Sequence, residues 1–100
     1  MLEREIEKKL VKYCKRVGCI TYKFVSPSQR GVPDRIIISP CGKVGFLELK
    51  QYGKKPNAQQ MCQLLALQQH NVLADWADTI EGCMQFVDLL MFDYIHGANT

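Results

Sequence analysis

No stretch of the 100 residues approaches the ~20 consecutive apolar residues that a membrane-spanning helix needs, so no membrane partner is expected. The opening Met1-Leu2-Glu3-Arg4-Glu5 is charged from its third residue and carries no apolar signal region, which makes the cytoplasm the expected compartment. There is no Cys-x-x-Cys pair and no histidine at zinc-ligand spacing, which argues against a structural zinc module. The cysteines are odd in number (Cys14, Cys19, Cys41, Cys62 and Cys83) and read as reduced, mostly buried apolar residues. Glycine and proline are sparse, at 7 and 4, and 47% of the residues are hydrophobic, which excludes a collagen-like chain and a disordered tail. Repeats and low-complexity linkers are absent too. What remains is one globular domain, placed at residues 1–93, with a short tail at 94–100.

Basic residues are missing from the second half altogether. All 13 lysines and arginines lie at or before Lys55, where only five acids accompany them, and the five later acids stand without a base. A clustered positive field attracts phosphates, so this asymmetry points to a polyanionic partner for the first half. Lys8, Lys9, Lys12, Lys15 and Arg16 fit the solvated outer face of a helix. Lys23, Arg30, Arg35, Lys50, Lys54 and Lys55 fall on strands and loops, where that explanation does not reach.

Periodicity divides the chain into alternating elements. Residues 2–17 carry Ile6, Leu10, Tyr13, Cys14 and Val17 at helical spacing. At about 100° per residue, Glu3 and Glu7 fall inside the apolar arc of this helix rather than on its lysine face. A carboxylate aimed at the interior needs a partner there. Residues 19–25 alternate as a strand, and Ser26 to Val32 form a loop rich in breakers. Pro33 to Ser39 and Val44 to Lys50 read as two strands of a hairpin. Asn57 is placed to cap a helix running to about His70, with Asn71 as a left-handed stop. Val72 to Ala77 is a short strand, and Asp78-Thr79-Ile80-Glu81 resembles a capping box opening a last helix to about Phe92. The order α-β-β-β-α-β-α implies an α/β fold, a mixed β-sheet flanked by helices.

The hairpin places two acids together. Pro40-Cys41-Gly42 suits a three-residue loop, a type I turn followed by a left-handed glycine. Counting back from it pairs Ile38 with Val44, Ile36 with Phe46 and Asp34 with Glu48, and paired residues share a face. Asp34, Glu48 and Lys50 then converge at one end of an apolar face. Two adjacent carboxylates repel unless a proton or cation lies between them, and hard oxygen ligands suit Mg2+ or Mn2+. A two-residue turn at Cys41-Gly42 would put the two acids on opposite faces, and a solvated cluster at a strand end is the simpler reading of the same residues.

Gly31-Val32-Pro33-Asp34-Arg35, followed at a thirteen-residue interval by Glu48-Leu49-Lys50, resembles the motif of PD-(D/E)XK nucleases, and more narrowly the VRR-Nuc (virus-type replication-repair nuclease) family. The stretch from Ile6-Glu7 through Val11 resembles that family's first-helix motif, Tyr22 to Pro27 and Arg30 to Ile36 resemble the approach to its aspartate, and Gln59 resembles its helix-opening glutamine. The resemblance implies a restriction-endonuclease-like fold and a metal-dependent DNA endonuclease, of phage or viral type, with a Holliday junction or flap as substrate in replication, repair or recombination. It implies catalytic roles for Glu7, Asp34, Glu48, Lys50 and Gln59, with Mg2+ or Mn2+ held by Asp34, Glu48, the Leu49 carbonyl and Glu7. Glu3, one helical turn before Glu7, is an auxiliary acid. Lys23, Arg30, Arg35, Lys54 and Lys55 are the expected phosphate contacts. A non-catalytic nucleic-acid-binding module and an RNA-processing nuclease are the alternatives on the same scaffold.

The last helix suggests self-association. Its core-facing arc leaves Leu89 and Phe92 outside among polar residues, and Tyr94 and Ile95 extend the apolar surface beyond it. A homodimer through these four residues would bury that surface, unless the tail folds back over Leu89 and Phe92 within one chain.

Overall fold

A computed structural model of the protein describes the backbone of residues 1–96 and the side chains of residues 1–92. The elements follow the expected order: α1 (Glu3–Val17), β1 (Ile20–Lys23), β2 (Arg35–Ile38), β3 (Val44–Leu49), α2 (Ala58–Gln69), β4 (Leu73–Ala77) and α3 (Ile80–His96). They build one mixed sheet in the order β1-β2-β3-β4, with β1, β2 and β3 antiparallel and β4 parallel to β3 through the α2 crossover.

Local chemistry explains most boundaries. Glu5 reaches back to the Leu2 backbone N–H at 2.8 Å to start α1, and Gly18, with φ of 91°, ends it in the left-handed conformation. Asn57 and Gln60 form a reciprocal capping box at the start of α2, each at 2.9 Å, and Asn71 (φ 62°) follows that helix as expected. The cap of α3 differs from the sequence expectation. Thr79 is the capping residue, its hydroxyl accepting the Gly82 N–H at 3.0 Å, while the Asp78 carboxylate accepts the Gly53 N–H at 3.0 Å and ties the loop after β3 to the end of β4. The helix also runs to His96 rather than stopping near Phe92.

The strands' alternation sorts the sheet into two unlike faces. Ile37, Leu47 and Leu49 point toward α1 and α3 and join Ile6, Leu10, Cys14, Phe86, Val87 and Leu90 in the main core. Gly45 is required there, because a Cβ at that position would stand 2.8 Å from the Phe86 ring. Cys14, Cys19 and Cys83 are buried as expected, whereas Cys41 and Cys62 are exposed. The opposite face is covered chiefly at β4, against which α2 packs. Over β1 to β3 it stays open, with Ile20, Tyr22 and Val44 exposed and the Phe24 and Phe46 rings meeting edge to face at 5.4 Å. Among the described residues no helix is long and apolar enough to cross a membrane.

Candidate active site

The hairpin register decides whether Asp34 and Glu48 can meet. Gly42 donates its N–H to the Ser39 carbonyl at 2.9 Å with φ of 88°, and Ser39 donates to the Lys43 carbonyl at 2.9 Å. This is the three-residue loop, and it sets Ile38 opposite Val44, Ile36 opposite Phe46 and Arg35 opposite Leu47. Asp34, one residue before β2, therefore lies beside Glu48 on the same side of the hairpin. Its main-chain carbonyl is fixed by the Phe24 N–H at 2.8 Å, and its Oδ1 accepts the Leu49 N–H at 3.4 Å.

Glu48 is only 5% exposed. Its Oε2 accepts a hydrogen bond from the Gln60 side-chain amide at 3.0 Å and stands 3.7 Å from the Lys50 ammonium. The Asp34 carboxylate also accepts from its own backbone N–H, and both contacts of Glu48 fall on Oε2 rather than Oε1. Burial pushes the Glu48 carboxyl up to about 7, with the neighbouring Asp34 charge adding to the shift and Lys50 opposing it. Asp34 is raised as well, first by burial and then by the charges of Glu3 and Glu7, against the Leu49 hydrogen bond. The pair thus carries more negative charge than its surroundings balance. Two adjacent carboxylates in a half-dry, over-negative pocket fit a hard dication.

The acid on α1 behaves differently from expectation. The resemblance implies that Glu7 joins Asp34 and Glu48, whereas its Oε2 stands 3.2 Å from the Arg35 guanidinium and 3.9 Å from the Lys23 ammonium. The reason is strand alternation: Arg35 follows Asp34, points to the α1 side and also donates to the Thr21 hydroxyl at 3.1 Å. Among the described residues no group of three acids, cysteines or histidines is assembled to hold an ion. Glu3 is the α1 carboxylate whose charge raises both Asp34 and Glu48.

Two further expectations change. Gln60, not Gln59, reaches Glu48, because neighbours on a helix point about 100° apart and the capping box holds Gln60 inward. Gln59 is exposed and borders a polar cleft with Arg30. Its backbone is packed so tightly by Gly31 (φ +83°) that a Cβ there would come within 2.8 Å, which joins the loop before Asp34 to the start of α2. Arg35 is the second change. At 7% exposure, and held by Glu7 and Thr21, it is buried structure rather than a contact for phosphate. Lys23, Arg30, Lys54 and Lys55 are all exposed. The signal for Arg35 was present in the sequence, since the alternation that puts Asp34 on one face puts its neighbour on the other.

On α3, Leu89 and Phe92 are each 54% exposed, while the Tyr94 and Ile95 side chains lie outside the described residues.

Comparison with known proteins gives these observations a context. No protein-family model matches the sequence. Over 79 residues the chain is 44% identical to "Putative nuclease p44" of Acyrthosiphon pisum secondary endosymbiont phage 1, covering 76% of this chain and 85% of that protein. Among solved structures, a VRR_NUC domain matches with a TM-score of 0.78 at 18% identity, over 86% of this chain and 94% of the other. A second, a VRR_NUC domain protein, matches with a TM-score of 0.74 at 16% identity, over 91% and 88%. At such identities these two likenesses are of fold.

Proposed function

The chain belongs to the VRR-Nuc family of nucleases, and from that premise we propose that it is a metal-dependent endonuclease that hydrolyses phosphodiester bonds in branched DNA. The observation that carries the reading is the pairing of half-buried Asp34 with buried Glu48, both carboxyls raised by burial and by neighbouring negative charge. Asp34, Glu48 and the Leu49 carbonyl would hold Mg2+ or Mn2+, with Glu7 or Glu3 acting through water from α1. Such an ion, when bound, polarises the scissile phosphate and lowers the pKa of a coordinated water.

The chain's own residues supply the rest. Lys50, 18% exposed at its side chain, sits where it can orient the attacking water and offset charge on the phosphorane. Gln60 fixes the Glu48 carboxylate in one orientation, a supporting role toward a residue that would hold the ion. Lys23, Arg30, Lys54 and Lys55 position the backbone without reading sequence. Leu89 and Phe92 offer the surface for a homodimer, which would present two active sites to opposed strands.

Cleavage of a four-way junction, a flap, linear duplex and RNA, compared side by side, tests this function. Faster cutting of a branched DNA supports it. Preference for RNA, or binding without cleavage of any of the four, turns the assignment to one of the two alternatives.

A further inference from the structure

The lysines that the sequence assigns to a solvated helix face line a groove. Lys9, Lys12, Lys15 and Arg16 of α1 border a depression of about 560 Å³ between α1 and α3. Its floor is Tyr13, Ile80 and Met84. Asp88, which α3 brings close to this floor, is occupied by the Tyr13 hydroxyl at 2.7 Å, and Arg16 stacks over the Tyr13 ring at 5.2 Å. Among the described residues none of the four cations forms an ion pair.

Lys15 and Arg16 have a local reason to be basic, because they lie in the last turn of α1 and complement the helix dipole. Lys12 has none, and Lys9 follows Glu5 by four residues, but the Glu5 carboxylate caps α1 at the Leu2 N–H and forms no ion pair with it among the described residues. Four like charges around one groove repel, and Lys12 and Arg16 stand at the i, i+4 spacing where like charges destabilise a helix. An arrangement of that kind gains from an anionic occupant. The spacing also constrains what the occupant is. Lys9 to Arg16 extend about 10 Å along the helix axis, enough to meet more than one phosphate of a single backbone.

We infer that the α1–α3 groove binds the sugar-phosphate backbone of a second segment of the nucleic-acid substrate, distinct from the segment at Asp34 and Glu48. The inference rests on the nuclease reading for the identity of the polyanion. Lys9 lies about 200° around α1 from Glu7, so the groove and the catalytic carboxylates flank opposite sides of the helix. A strand seated at the carboxylates does not fill the groove without passing around α1, whereas another arm of a branched molecule can occupy it. The cationic rim holds phosphates, and the apolar floor meets sugar carbons.

The test is the salt dependence of binding to a four-way DNA junction in EDTA, which separates binding from hydrolysis. Each phosphate-contacting cation removed lowers the slope of log affinity against log salt by about one, so Lys9→Gln with Lys12→Gln is expected to lower it by about two. Arg4→Gln with Lys8→Gln removes the same charge from α1 outside the groove and is expected to leave the slope unchanged. Met84→Glu, placing an anion on the opposite wall with α1 intact, is expected to weaken binding as well, which keeps the test valid if the double lysine variant fails to fold. Equal slopes for the two double variants, or displacement of the junction by a polyglutamate peptide at lower concentration than by DNA, overturns the groove assignment. Cleavage by the unmodified protein is a separate readout: a lowered slope with no cleavage in Mg2+ sinks the nuclease reading, and cleavage with an unchanged slope sinks the groove.

Discussion

Gln60 donates its side-chain amide to Glu48 Oε2 at 3.0 Å while its own carbonyl oxygen accepts the Asn57 N–H at 2.9 Å, so one side chain both caps α2 and orients a buried carboxylate. Gln60→Ala removes both contacts. It is expected to reduce the cleavage rate by about tenfold or more, as loss of a partner that orients a metal ligand does. Gln59→Ala is expected to have the smaller effect of the two. Initial rates for both variants at saturating metal check the ranking, and the reverse order would return the role to Gln59.

Arg35 and Glu7 carry a structural load. With Arg35 buried and Glu7 side-chain exposure at 25%, removing the carboxylate leaves a guanidinium poorly compensated inside the fold. Glu7→Ala is expected to cost about 1–3 kcal/mol of stability in the metal-free protein, less than a fully buried pair because solvent screens part of the interaction. Urea unfolding in EDTA measures it. Unchanged stability together with lost cleavage would make Glu7 purely an active-site acid.

The raised Glu48 carboxyl makes stability depend on pH with a definite sign. The folded protein binds this proton more tightly than the unfolded chain, so its contribution is complete below the ordinary value of 4.5 and is lost as pH rises to about 7. Metal-free protein is expected to lose on the order of 3 kcal/mol across that window, with Asp34 adding in the same direction. Glu48→Gln is expected to flatten the profile, and Mg2+ to raise the melting temperature more at pH 8 than at pH 5. A stability that climbs with pH in EDTA would contradict the burial of this charge.

Leu89 and Phe92 test the homodimer. At micromolar concentration sedimentation is expected to give twice the chain mass, falling to one chain on Leu89→Asp or Phe92→Asp. A dimer that persists in both variants would move the interface to the open face of β1 to β3, where Ile20, Tyr22 and Val44 are exposed. A single-chain mass throughout would remove self-association from the account.

The Asp34–Glu48 relationship was legible once a three-residue loop is chosen over a two-residue turn at Cys41-Gly42: Pro40 opens the loop, Gly42 supplies its left-handed φ of 88°, and the register follows by counting. The α1 apolar stripe was legible for the same kind of reason, since Ile6, Leu10 and Cys14 share one helical face and are fully buried. The choice between Gln59 and Gln60 was half legible: the Asn57–Gln60 capping spacing is local, but which side chain meets Glu48 depends on how α2 docks onto the sheet. The Glu7 partner was half legible: an inward carboxylate needed a cation, and alternation had already turned Arg35 toward α1. The basic groove needs α3 as its second wall, so the lysines of α1 alone read as solvated.

The central proposal is that half-buried Asp34 and buried Glu48 together are the seat of metal-dependent phosphodiester hydrolysis. Its most direct test is cleavage of a labelled four-way junction by the unmodified protein and by Asp34→Ala, each with Mg2+, with Mn2+ and with excess EDTA. Cleavage by the unmodified protein only when metal is present, and none by an Asp34→Ala protein that still folds, is the expected result. Full cleavage in EDTA, or by Asp34→Ala, would contradict it.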